Sequence, residues 1–436
     1  MTRRTRREWL RTVAVAGGAG LAGCTGGEDG GDGDGATPKS ETTGAMTPDG
    51  ATGTTESDRT AAEERATDDG GGTAESGTFA DLSGFPMFSR DRANSGHVPD
   101  ATGPVDGATA AWSYQTGDEI RGPVVATGGT VYFGSWDDTL YALDAATGDE
   151  QWTVDIDAGD TAPAVVDGTV YFGGANGLYA FDAATGEREW ALETGYTTNS
   201  AVVGGGVVYV SDFEGWVRAV DAATGEEIWK DERGFRMTSD PALVDDTIYV
   251  GTGYVGNVQA LDAATGEVRW EHDANGDVES SPAVVDGTVY YGTTDGDLAA
   301  VDASDGTEEW VFEADDAYVS SPAVADGTVY ALGNYGTVAS GGETLSAVDA
   351  ADGTRAWGVQ IESSDVSPTV AGDTVYACGN GTVMGFDTAT GEERWRFETA
   401  EERPVTSQPA VVDGTLYVGT HGTATEGGRV YALTEP

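Results

Sequence analysis

Eight side chains are the best candidates for binding chemistry: Trp136, Asp137, Tyr196, Phe213, Arg236, Tyr254, Tyr335 and His421. They lie in short segments that differ from one another in length and composition. Aromatic faces beside carboxylates and arginines suit a sugar, a peptide segment or a planar cofactor. His97, His272 and His421 lie far apart in the sequence with no ligand spacing, so no histidine-based metal site is expected. Asp137-Asp138, Asp295-x-Asp297 and Asp315-Asp316 offer the oxygen donors that calcium favours, although a chain with 75 Asp and Glu produces such pairs by chance. No nucleophile elbow or phosphate loop is present. Asn380-Gly381-Thr382 is an N-glycosylation sequon in an expected turn.

The elements that position these residues come from an internal repeat. Seven segments fit Asp-x-x-[Thr/Asp]-Gly-x-x-x-Trp, ending at Trp152, Trp190, Trp229, Trp270, Trp310, Trp357 and Trp395. An eighth Trp, Trp112, precedes the first full unit. Each unit reads as four short strands. In one, Ser281–Val285 is the first strand, Asp286-Gly287 a tight hairpin and Thr288–Tyr291 the second strand. A third strand, an Asp-Ala-Ala-Thr-Gly-like turn and a Trp-bearing fourth strand follow. Four strands per repeat of about 40 residues is the period of a β-propeller. The second-strand tyrosine recurs eight times, from Tyr132 to Tyr417, which predicts an all-β, eight-bladed propeller over 110–436. The last unit lacks a fourth strand, whereas the segment around Trp112 is a fourth strand without a unit. Joining the two would close the ring and remove an exposed edge.

Within the units the Asp-Gly hairpins and the Asp-x-x-Thr-Gly turns barely vary, and they share one face. The links after the Trp strands and the loops between second and third strands vary widely. The eight candidates sit on that variable face, which is where a binding partner is expected. The longest such loop, 334–343, reads as a flap or a plain insertion.

The formal net charge is −53, and only Lys39 and Lys230 are lysines. Repulsion on so acidic a surface is screened in molar salt, which suggests a halophilic source. With no basic patch, nucleic acid is not an expected partner. Thr5-Arg6-Arg7-Glu8-Trp9-Leu10 resembles a twin-arginine export signal. The apolar stretch after it is shorter than the ~20 residues that span a bilayer, and it ends in Leu21-Ala22-Gly23-Cys24, which resembles a lipobox. Residues 1–24 are therefore read as a lipoprotein signal peptide with Cys24 lipidated. Residues 25–78 are Gly, Asp and Thr-rich and read as a flexible tether, and 79–109 as a lead-in. The expected location is the outer side of the cytoplasmic membrane. Cys378 has no partner for a disulfide and reads as a small buried side chain.

The Asp-x-x-Thr-Gly-x-x-x-Trp units resemble the repeats of quinoprotein propellers, the pyrroloquinoline-quinone-binding-like family. Its relatives include the propeller lipoprotein of the outer-membrane β-barrel assembly machinery. The segment Phe85-Pro86-Met87-Phe88-Ser89-Arg90-Asp91 through Asn94-Ser95-Gly96 resembles the lead-in of such propellers. The resemblance implies that the eight Trp dock between blades and form a structural girdle. It also makes pyrroloquinoline quinone and calcium conceivable cofactors. The units are near-minimal, and no adjacent cysteine pair matches the family's alcohol dehydrogenases. We therefore expect a monomeric, non-enzymatic scaffold that binds a protein or envelope component. The alternatives are a quinoprotein dehydrogenase of alcohols or sugars and a lipoprotein that binds carbohydrate or another small solute.

Overall fold

The computed structural model of the chain describes residues 84–99, 101–158, 160–197, 199–233, 237, 239–253, 255–313, 319–333, 343–361, 366–400, 403–422 and 426–436. All belong to the unit Ser76–Pro436. Arg6, Arg7, Cys24, the signal and tether segments, Arg236, Tyr254, Tyr335 and residues 334–342 of the expected flap lie outside them.

The strands form eight sheets, each containing one four-stranded antiparallel blade. Blade 5 shows the pattern, with an inner strand Ala283–Val285, then Thr288–Gly292, Asp297–Asp302 and an outer strand Glu308–Glu313. Val and Tyr favour strands, and the Asp-Gly pairs supply the two left-handed residues that a two-residue hairpin needs. Asp286 and Gly287 have φ of 51° and 84°, and Asp413 and Gly414 have 47° and 84°.

The Asp-x-x-Thr-Gly turn has two jobs. Asp144 Oδ1 accepts bonds from the Ala146 and Thr147 N–H groups at 3.0 and 2.9 Å, which holds the turn shut. The turn is also a receptor for the neighbouring blade. The Ala145 carbonyl accepts the Trp112 indole N–H at 3.0 Å and the Tyr417 hydroxyl at 3.1 Å, both from blade 8. The Trp112 ring lies on Gly148, whose φ is 74° and where a Cβ would come within 2.7 Å of the ring. The same indole bond recurs from Trp152 to Ala183, Trp190 to Ala222, Trp229 to Ala263, Trp270 to Ala303, Trp310 to Ala350 and Trp357 to Thr388. A β-bulge beside each of these Trp residues, such as the shift between Ala142 and Leu143 opposite Trp152, aims the ring at the next blade.

Blade 8 is built from both ends of the described chain. Its outer strand Thr109–Gln115 pairs with Arg429–Thr434, from Thr109 opposite Thr434 to Gln115 opposite Arg429. No turn connects these two strands, so Trp395 and Tyr376 of blade 7 need another acceptor. The Pro104 carbonyl supplies it, at 2.8 and 3.3 Å.

The receptor glycines should therefore cost more to replace than the hairpin glycines. Gly287→Ala meets open space and carries only the left-handed backbone penalty, about 1–2 kcal/mol. Gly225→Ala carries the same penalty and also drives a Cβ to 2.7 Å from the Trp190 ring, which adds about 1–3 kcal/mol. Urea midpoints measured at one salt concentration check this, and equal shifts for the two variants would contradict it.

Candidate functional site

An inner strand is the edge of its blade, and its outward N–H groups need acceptors. The lead-in supplies them. Phe85 exchanges two main-chain bonds with Ala126 of blade 1, at 2.7 and 3.0 Å, and the Pro86 carbonyl accepts the Val165 N–H of blade 2 at 2.7 Å. The Arg92, Ala93, Ser95 and Gly96 carbonyls accept N–H groups of Leu243, Val284, Val324 and Val370, in blades 4 to 7, at 2.6–2.8 Å. Ser89 bonds the Gln408 side chain of blade 8 through its N–H, at 3.2 Å. His97–Val98 then runs parallel to the inner strand of blade 7 as a fifth strand of that sheet. Phe85, Met87 and Phe88 are buried and anchor the segment. The axis is thus filled by main chain at the level of the inner strands.

Beside the lead-in, residues that precede the inner strands bond from blade to blade. Ala162 N–H donates to Ser200 Oγ at 2.9 Å, Ser200 N–H to Asp240, Asp240 N–H to Ser281 Oγ at 2.9 Å, and Ser281 N–H to Ser321 Oγ at 2.8 Å. Asp240 is the one charged member of this run. Its carboxylate also accepts the Ser281 hydroxyl at 3.1 Å. Burial pushes its pKa up to about 6, against the pull of these hydrogen bonds. The residue as a whole is half-buried.

On the variable face, the seam between blades 8 and 1 gathers several charged and aromatic groups. The Arg121 guanidinium lies 4.1 Å over the Trp136 ring, and its Nε donates to Glu119 Oε2 at 2.7 Å. His421 Nε2 lies 3.1 Å from the same Glu119 oxygen and 3.4 Å from Arg121 Nη2. The Trp136 indole N–H donates to Asp160 Oδ1 at 2.7 Å. Next to it, Asp137 Oδ2 accepts the Gly117 N–H and the Tyr141 hydroxyl, both at 2.7 Å. Burial and then the Asp137 carboxylate push the Tyr141 hydroxyl above its ordinary pKa. Of the sequence candidates, Trp136, Asp137 and His421 therefore come together. Tyr196 and Phe213 form a separate edge-to-face pair, with ring centroids 6.4 Å apart. Asn380 is exposed in the hairpin between Thr374–Gly379 and Thr382–Asp387. Arg121 and Glu119 were not singled out from sequence. Their signal was their place in the variable link after the first Trp strand, in a chain with few cations.

A family model for outer membrane protein assembly factor BamB matches residues 94–213, 213–341 and 341–435. The chain belongs to this family. BamB from Moraxella catarrhalis superposes with a TM-score of 0.61 at 19% identity, covering 75% of this chain and 99% of that one. The quinohemoprotein alcohol dehydrogenase of Comamonas testosteroni gives 0.67 at 18% identity and 81% of each chain. A europium-containing methanol dehydrogenase gives 0.65 at 14% identity, covering 81% of this chain and 98% of that one. At these identities the solved structures share the propeller fold. No curated protein matches the chain.

The quinoprotein neighbours raise the fit of quinone and calcium. Among the described residues, no group of three or more His, Cys, Asp or Glu is placed to hold a metal ion. The Asp240 oxygens are engaged by Ser200 and Ser281, whereas calcium takes six to eight oxygens. Among the described residues, the axis therefore offers calcium no ready set of oxygen donors.

Asp240 should give the BamB-family propeller a distinctive pH response. A carboxyl whose folded-state pKa is raised stabilises the fold below its unfolded value, usually 3.8, and that contribution is lost as pH rises through about 6. Asp240→Asn removes the titration. The stability of the native chain minus that of the variant should fall between pH about 4 and about 7. Denaturant midpoints across that range check it, and a constant difference would contradict it.

Proposed function

We propose that this chain is a non-enzymatic binding module, exported and anchored through Cys24 on the outer side of the cytoplasmic membrane. Its variable-loop face holds a protein or envelope partner. The observation that carries this reading is the blade 8–1 seam, where Trp136, Arg121, Glu119 and His421 meet at the surface. Trp and Arg in contact, ringed by polar groups, are what binding hot spots are made of. The filled axis supports it too, because a partner would meet the propeller through its loops. Membership of the BamB family agrees with a protein-binding role in the envelope. Asn380, exposed on the same face, is proposed as a glycan site, and Tyr196 and Phe213 as secondary contacts.

The test is site-specific photo-crosslinking in the source organism, with the probe at position 136 or at position 176 in the blade 2 loop of the same face. Position 136 should give a discrete adduct that Arg121→Ala abolishes. Quinone titration with calcium, followed by tryptophan fluorescence and a dye-linked alcohol and sugar oxidation assay, tests the rival reading. Saturable quinone binding with turnover would overturn the proposal, as would the absence of any adduct at position 136.

A further inference from the structure

The seam between blades 8 and 1 holds a histidine whose neighbours suit its two charge states differently. His421 Nδ1 lies 2.7 Å from the Gly422 carbonyl. A carbonyl only accepts, so Nδ1 carries a hydrogen whether the ring is neutral or charged. The neutral ring therefore has a bare Nε2, a lone pair without a hydrogen. That lone pair suits Arg121 Nη2, a donor 3.4 Å away. It opposes Glu119 Oε2, which stands 3.1 Å away and has only lone pairs to offer.

Protonation reverses both contacts. Nε2–H then donates a charge-assisted bond to Glu119 Oε2. The same oxygen already takes Arg121 Nε at 2.7 Å, and the two cations now repel at close range. His421 is held at two points, by its ring at Gly422 and by its own N–H on the Pro404 carbonyl at 2.9 Å. The Arg121 side chain is 41% exposed and lies over the flat Trp136 ring. Arg121 is thus the group that yields. The adjoining segments bring further charged groups, each engaged elsewhere. Asp118 takes the Glu119 N–H, Asp137 takes Tyr141 and Gly117, Asp160 takes the Trp136 indole, and Arg403 pairs with Glu426.

We propose that His421 is a proton-operated latch on the seam. Neutral His421 keeps the Arg121 guanidinium turned inward, against itself and Glu119. Protonated His421 takes Glu119 and turns the Nε–Nη2 edge of Arg121 outward. That edge is the two-donor fork by which an arginine grips acceptors, so it meets a docked partner only in the acid state. Histidine is the side chain that ordinarily changes charge between about pH 5 and 8. The consequence for docking rests on the reading of this seam as the partner site. The latch itself does not.

The test is NMR of the purified full chain in molar salt, without a partner, so the latch and the docking reading can fail separately. Spectra of chain carrying isotopically labelled histidine show which ring nitrogens hold hydrogen, and the signals lost in His421→Gln assign His421. At about pH 8 the His421 hydrogen should sit on Nδ1 with Nε2 bare, and at about pH 5 both nitrogens should be protonated. The Arg121 Nε–H signal, assigned by its loss in Arg121→Lys, should be broadened by a neutral paramagnetic cosolute more strongly at the lower pH. That gain should vanish in His421→Gln and in Glu119→Gln, either of which suffices if circular dichroism shows the other unfolded. A hydrogen on Nε2 at the higher pH would overturn the proposal. So would equal broadening of Arg121 at both pH values, or a gain that persists in the folded variants.

Discussion

At each Trp seam of this propeller a single carbonyl oxygen accepts the indole N–H of the preceding blade. The indole ring lies on a glycine of the same turn at seven of the eight seams. A backbone carbonyl has two lone pairs, and at most seams the second takes a tyrosine hydroxyl from that same blade. Glycine is required for two reasons, the left-handed backbone and the missing Cβ. This explains why the Asp, Thr, Gly and Trp of the repeat recur together. The Asp and Thr shape the turn, the Gly clears its surface, and the Trp belongs to the next contact round the ring. The eighth seam keeps the carbonyl, supplied by Pro104, although it lacks the turn. The chemistry of docking is retained where the covalent connection is not.

The second constraint is at the axis. Eight blades bring eight inner edges together, and main-chain N–H groups facing one another cannot satisfy each other. The lead-in answers this with its own carbonyls in blades 1, 2 and 4 to 7, and its Asn94 amide donates to the carbonyls of Pro241 and Pro282. The cost is local strain, with Ser89, Arg90 and Asn94 all at positive φ. The two faces then carry different surfaces, one with unlike loops and a Trp–Arg cluster and the other with uniform hairpins.

The repeat architecture was legible because it is written in side chains that recur. The spacing of Trp152, Trp190 and their equivalents gave the blades, and Asp286-Gly287 and its equivalents gave the hairpins. Three things were not legible. The segment Phe85 to Gly96 was legible as a lead-in by its resemblance, but its bonding to the inner strands was not, because it runs through main-chain carbonyls that leave no residue signature. The bulges beside the Trp residues change register without a characteristic residue. The seam cluster brings together segments remote in sequence, Glu119 with His421, which share no motif. Of the variable-face candidates, Trp136 and His421 meet because blades 8 and 1 are neighbours, a consequence of ring closure rather than of local spacing.

The inner strands depend most on the lead-in filling the axis. Amide hydrogen–deuterium exchange of the intact chain tests it directly. The N–H groups of Val165, Leu243, Val284, Val324 and Val370 should exchange as slowly as those paired inside the blades. Exchange at these five positions as fast as in exposed loops would mean that the axis is open and that the lead-in does not hold the inner strands.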